Sequence, residues 1–227
     1  MPDSKLLFDS NWGNKKARAL LVSNGYYPET VISYSTDQYG LRNEPSVDIH
    51  NSILTLGCSF TFGTGLHKSD TWPSLLEQRT GRSVYNAGLP GSSNDTSFRL
   101  VANLVPRYQP LAVVLLSTFS QRREFYDDNN KAYYNYNELT QDHGATYVNT
   151  NHSQKFSITN HKDNSINYVK NICAIGYICQ TYDIPFVYQS VDNVSPIPQD
   201  LARDLQHPGK KTHQIVAEQM HLLLDNQ

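Results

Sequence analysis

The chemistry within reach of this chain gathers in three short stretches. Gly57-Cys58-Ser59-Phe60-Thr61-Phe62-Gly63-Thr64-Gly65 sets a serine hydroxyl in a turn rich in glycine and threonine. A hydroxyl there becomes a nucleophile when a neighbouring base removes its proton, and the free backbone N–H groups of such a turn can stabilise an anion. Asp204-Leu205-Gln206-His207-Pro208-Gly209 holds an acid and an imidazole three residues apart. One local structure can then supply both the base and the carboxylate that orients it. The plain alternative is that Asp204 ends a turn and His207 precedes a helix opened by Pro208, with both groups solvated. The third stretch, Asn86-Ala87-Gly88-Leu89-Pro90-Gly91-Ser92-Ser93-Asn94, is glycine-rich and polar.

Rival readings of the Ser59 stretch fit less well. No Lys-Ser/Thr follows the glycines, so it is not a phosphate-binding Walker loop. Position 61 is Thr, so the Gly-x-Ser-x-Gly elbow does not match. A cradle for a flavin phosphate would leave the Asp204–His207 loop unexplained. Cys58 directly after an apolar run reads as inert packing rather than as a thiol nucleophile.

The elements that must carry these stretches follow from periodicity. Ile53 to Gly57, Ser83 to Gly88, Leu111 to Leu116 and Pro185 to Val191 are short apolar runs and read as strands. Helical patterns fall between and after them, over Trp72 to Arg79, Asp95 to Tyr108, Ser165 to Tyr182 and Pro208 to Leu224. Strands alternating with helices predict α/β units around a mostly parallel sheet, with the site at the carboxyl ends of the strands. A short helix is expected over Asn14 to Ser23, and Tyr34 to Asn43 reads as a strand or arm. Residues 125–162 show no apolar periodicity and read as a polar insertion, a lid or a substrate-facing loop. The whole, 1–227, reads as one domain with an N-terminal arm over 1–50.

Taken together, the three stretches resemble the SGNH (GDSL-type) hydrolases, serine esterases on a flavodoxin-like three-layer α/β/α sandwich. Gly57-Cys58-Ser59-Phe60-Thr61 stands where the family has Gly-Asp-Ser-Leu-Ser/Thr. Asn86-x-x-x-x-Gly91 resembles the block whose glycine N–H helps form the oxyanion hole. Asp204-x-x-His207-Pro208 resembles the block carrying the acid and base. The resemblance implies Ser59 as nucleophile, His207 as base, Asp204 as its orienting acid, and the N–H groups of Ser59 and Gly91 as oxyanion donors. It implies no metal and no cofactor.

The chain departs from the family pattern in two places. Cys58 replaces an Asp whose side chain is not catalytic. The block that normally reads Gly-x-Asn-Asp, and whose Asn donates to the oxyanion, is replaced by Ser117-Thr118-Phe119-Ser120-Gln121-Arg122-Arg123-Glu124. Ser120 falls at the Asn position, and Asn94 is a second candidate donor, against the plainer reading of Asn94 as a helix cap. Arg122 and Arg123 are candidates for the pocket, one facing an anionic or sugar-like substrate group while Glu124 pairs with the other; the plain alternative is a solvated surface pair.

Composition excludes several classes. The net charge is -2, with 19 Lys+Arg against 21 Asp+Glu, so no basic stripe points to nucleic acid. No apolar run is long enough to span a membrane, and the N-terminus lacks the pattern of a signal peptide. Three cysteines at unhelpful spacings fit a reducing compartment, and a cytoplasmic location is expected. His143, His152 and His161 recur every nine residues without the Cys or carboxylate spacing of a metal site. The expected substrate is a small acyl ester, with an O-acetyl group on a carbohydrate favoured by the polar insertion and its tyrosines. The alternatives are a catalytically weakened glycan-binding protein of the same fold and an assembly protein; oligomeric state is open.

Overall fold

The computed structural model describes residues 13–136, 161–194 and 200–227. Four strands form a parallel sheet: β1 (Ile53–Gly57), β2 (Val84–Asn86), β3 (Ala112–Ser117) and, after an intervening segment, the strand Phe186–Ser190. Their order is β2, β1, β3, Phe186–Ser190, all pairs parallel. This is the opening of the flavodoxin-like order, which reverses direction between β1 and β3.

Every residue of β1 and β3 is buried. Alternation divides them between two cores, because successive side chains point to opposite faces. Leu54, Leu56, Val113 and Leu115 face Val101 and Val105 of α4 (Asn94–Tyr108), together with Ile172, Ile175 and Cys179 of the long helix His161–Thr181. Ile53, Ala112, Val114 and Leu116 face Trp72 and Leu76 of α3 (Trp72–Thr80), together with Val216, Ala217 and Met220 of the last helix, Lys210–Asp225. Two helices on each face make the three layers that the alternating pattern predicts.

Helix α1 (Lys15–Ser23) is capped by Asn14, whose side chain accepts from the N–H groups of Lys16 and Ala17. α2 (Ser59–Phe62) is a single turn at the exit of β1. Overlapping 125–162, where no regular structure is expected, β4 (Arg123–Asp127) and β5 (Ala132–Tyr136) pair as an antiparallel hairpin. The helix after it, α5, begins at His161 rather than Ser165, and β6 is Phe186–Ser190. The last helix is α6. His143 and His152, the side chain of His161, and the first residues of the chain lie outside the described residues. Among those described, no helix is long and apolar enough to cross a membrane.

Candidate active site

The crevice outside the ends of β1 and β3 is where this sheet order places a site. Gly57 ends β1 at φ +144°, and a Cβ there would collide with Thr61 Oγ1 and the Leu116 carbonyl. Only glycine lets the chain turn so tightly off the strand. Ser59 then opens α2, buried at 6% exposure. Its hydroxyl makes no hydrogen bond among the described residues. Gly88 backs the turn, since a Cβ there would lie 2.5 Å from the Phe62 nitrogen. Asn86 holds it by donating from Nδ2 to the Thr61 carbonyl at 3.0 Å.

The acid and base arrive on residues 200–209. Asp200 caps α6, accepting at Oδ2 from the Thr212 N–H and hydroxyl. The Ala202 N–H donates to the His207 carbonyl at 2.8 Å, which closes a tight turn, with Leu205 in the left-handed region at φ +58°. Within that turn the two oxygens of Asp204 divide their work. Oδ1 accepts from the N–H groups of Gln206 and His207 at 3.1 and 3.0 Å, and Oδ2 meets His207 Nδ1 at 2.5 Å. The backbone bonds fix the carboxylate, and the carboxylate fixes the ring. Burial alone would raise the Asp204 carboxyl. The hydrogen bond and charge of His207, with the two N–H groups, outweigh burial and hold it below the usual carboxylate range.

This turn is packed onto the serine loop. The Arg203 N–H donates to the Gly65 carbonyl at 3.1 Å. A Cβ on Gly65 would come within 2.8 Å of Ala202 Cβ and 3.3 Å of Asp204 Cγ. The His207 ring stands edge-on to Phe60, centroids 6.0 Å apart, and its side chain is 22% exposed. The turn that carries Asp204 and His207 is thus packed on the loop that carries Ser59, and no hydrogen bond joins Ser59 Oγ to His207.

The remaining sequence-derived residues divide. Gly91 is exposed at φ +77°, a Cβ there would meet nothing within 4 Å, and its N–H makes no bond among the described residues. Asn94 is not the cap of α4. Ser93 is, through a reciprocal pair with Thr96, and Asn94 is the first helical residue. Its amide is spent on the exit of β3, donating to the Thr118 carbonyl at 2.8 Å and accepting from the Thr118 N–H at 2.9 Å. Ser120 lies half-buried in the turn after β3, and its hydroxyl has no partner among the described residues.

Arg122 donates to Thr118 Oγ1 at 3.0 Å and to the Ser92 carbonyl at 3.4 Å. Its guanidinium lies 5.0 Å from the centre of Phe119, which in turn stands edge-on to Phe60. Arg123 turns elsewhere and donates to the Asp163 carbonyl at the start of α5. Neither pairs with Glu124, which takes a two-pronged bond from Arg99 at 2.7 and 2.8 Å and a third from the Thr96 hydroxyl. The reason is register: β4 lies along α4, where Arg99 and Thr96 face it.

Two residues that sequence reasoning passed over are Arg42 and His213. His213 is wholly buried and accepts at Nδ1 from the Trp72 N–H at 2.9 Å. Burial first, then the charges of His207 and Arg42, push it down to about 3, so it is neutral at ordinary pH. Arg42 is considered below.

No protein-family model matches the sequence, and no curated protein is similar to it. Among solved structures, the chain is similar to the esterase EstA from Pseudoalteromonas sp. (15% identity, 78% of this chain and 97% of that one, TM-score 0.42). It is similar to a G-D-S-L family protein from Desulfitobacterium hafniense (18% identity, 77% and 99%, TM-score 0.40). It is also similar to an acetyl xylan esterase, AlAXEase (15% identity, 74% and 97%, TM-score 0.36). The structures it resembles are thus lipolytic and acyl-ester hydrolases, the G-D-S-L family among them, and the likeness is one of fold.

Proposed function

We propose that the protein is a serine hydrolase that cleaves a small acyl ester through Ser59, His207 and Asp204. The observation that carries this reading is the turn 202–207. It fixes a carboxylate on an imidazole at 2.5 Å and stands that imidazole against Phe60, the residue after Ser59. A solvated Asp and His would not be held by three bonds and packed on the serine loop.

In this scheme the ester enters beside Phe60, and the gap between Ser59 Oγ and His207 Nε2 closes around it. His207 takes the hydroxyl proton as Oγ attacks the carbonyl carbon. The N–H groups of Ser59 and Gly91 hold the oxyanion. The tetrahedral adduct collapses, the alkoxide leaves with the proton from His207, and the acyl group stays on Oγ. Water, deprotonated by His207, then releases the acid and restores the serine. Asp204 fixes the tautomer and stabilises the imidazolium in both halves. Arg122, standing on Phe119, supplies a cation for an anionic or sugar-like part of the substrate. Arg123 would join it only by leaving Asp163.

The carbohydrate O-acetyl ester remains the favoured substrate, for the tyrosines of the hairpin. Tyr126 and Tyr133 pair across it, exposed, with centroids 5.0 Å apart. The test is reaction with a fluorophosphonate, and turnover of a short-chain chromogenic ester by wild type and Ser59→Ala. Labelling at Ser59 and loss of turnover in the variant are expected; unchanged turnover rejects the serine.

One observation favours the second reading, a weakened binding protein: the Asn94 amide is already engaged on both sides by the Thr118 backbone. On that reading the wild type binds an acetylated glycan but takes no label.

A further inference from the structure

We infer that Arg42, from the N-terminal arm, is a positioning residue for the nucleophile turn, so that the arm is part of the active site rather than an appendage. This rests on Ser59 being the nucleophile. A helix of one turn does not hold itself: nucleation is unfavourable, and the carbonyls of its last turn have no partners within it. Here those carbonyls are held from outside. Arg42 Nη1 donates to Phe62 O at 2.9 Å and to Gly63 O at 2.6 Å, and Nη2 donates to Leu66 O at 2.7 Å. The next residue reaches the other side of the same turn through one intermediary. The Asn43 amide accepts from the Asn86 N–H at 2.8 Å and donates to the Asn86 carbonyl at 3.1 Å, and Asn86 holds Thr61 O. Three consecutive carbonyls, of Thr61, Phe62 and Gly63, are therefore fixed by two adjacent residues of the arm.

Arg42 is 1% exposed and its guanidinium lies over the neighbouring rings of Tyr34 and Phe62, 4.7 and 5.3 Å from their centres. Tyr34, also of the arm, accepts from the Gly65 N–H at 2.8 Å. No Asp or Glu among the described residues pairs with the guanidinium, and its Nε has no partner. An unpaired buried charge is costly, and an apolar side chain would fill the space more cheaply. What an apolar side chain cannot do is hold three carbonyls in a fixed fork. The return is a fixed Ser59, whose N–H and Oγ both move if the turn relaxes.

The experiment compares the full chain with Arg42→Lys and Arg42→Met. A fluorophosphonate titrates the competent serines, and kcat on a short acyl ester is expressed per titrated site, beside KM and thermal midpoint. A misplacement of about 1 Å at a reacting group costs about 10²-fold, so Arg42→Met is expected to lose about that much kcat per site, with labelling slowed in parallel and KM changed less than about twofold. Arg42→Lys keeps the charge without the fork and is expected to lose about tenfold, a difference of about 1.4 kcal/mol in barrier. It decides the question if the methionine variant does not fold. An active wild type whose per-site kcat is unchanged in Arg42→Lys, whatever the midpoint does, overturns this inference alone. A wild type that neither labels nor turns over overturns the hydrolase reading and this one with it.

Discussion

The two chain exits at the centre of the sheet are equally polar and oppositely built. After β1, and on the 200–209 turn that packs against it, the atoms proposed to react are unspent. Among the described residues Ser59 Oγ makes no hydrogen bond, and the His207 ring is bonded through Nδ1 alone, leaving Nε2 open. At the exit of β3 most side chains are held in structure, the Ser120 hydroxyl excepted. Asn94 is bonded on both sides to the Thr118 backbone, and Glu124 is held by Arg99 and Thr96. The contrast teaches where to look for chemistry at a switch point. Density of polar residues does not mark it; polar atoms left without partners, beside groups that are rigidly partnered, do.

The largest expected effect breaks the first side. Ser59→Ala and His207→Ala should each lower kcat by roughly 10⁵–10⁶-fold, and the double variant should be little worse, because the pair acts as a unit. Additive losses in steady-state kinetics would mean that the two side chains work independently.

Much of that side was legible in the sequence. The apolar runs 53–57 and 111–116 announced buried strands, and the three-residue spacing of Asp204 and His207 announced one local structure. What escaped did so for physical reasons. The hairpin 123–136 has half-buried faces filled by aromatic and polar residues, so its alternation carries no apolar signal. Its turn places Lys131, not glycine, in the left-handed region at φ +51°. Arg42 escaped because arginine in a polar segment reads as surface, and nothing local shows that it is wholly buried. The fate of Asn94 depends on a residue 24 positions away.

Asp204→Asn is the next effect in size. The amide oxygen can still accept from Gln206 and His207 N–H, so the turn should survive. Its NH₂ then faces Nδ1 and imposes the wrong tautomer on the ring. A fall in kcat of about 10⁴-fold with little change in thermal midpoint is expected. A loss below about tenfold would show that backbone packing alone orients His207, and the difference between the two exits would narrow.

On the β3 side, Asn94→Ala asks whether the amide is truly spent. Removing it strands a buried N–H and a buried carbonyl of Thr118, a cost of about 2–4 kcal/mol. For a chain of this size that lowers the midpoint by roughly 5–12 °C. The kcat of the folded fraction should fall less than about tenfold. The reverse pattern, an unchanged midpoint with kcat down by about 10²–10³-fold, is what loss of an oxyanion donor produces. It would restore Asn94 to the place the family gives its Asn.

The smallest effect concerns Arg122, a charged group past β3 that is only partly spent. Two of its contacts are to Ser92 O and Thr118 Oγ1, and its face covers Phe119. Arg122→Gln keeps a donor near those oxygens and removes the charge. On a neutral short-chain ester its KM should move less than about threefold. On an ester bearing a carboxylate, loss of a partly exposed charge pair is worth about 1 kcal/mol, so KM should rise roughly fivefold with kcat little changed. Equal effects on both esters would place Arg122 with the structural residues around it, and a fall in kcat on both would place it with the oxyanion donors. Either result redraws the line between the two exits at a single side chain, because Phe119 and Phe60 connect that guanidinium to the loop of Ser59.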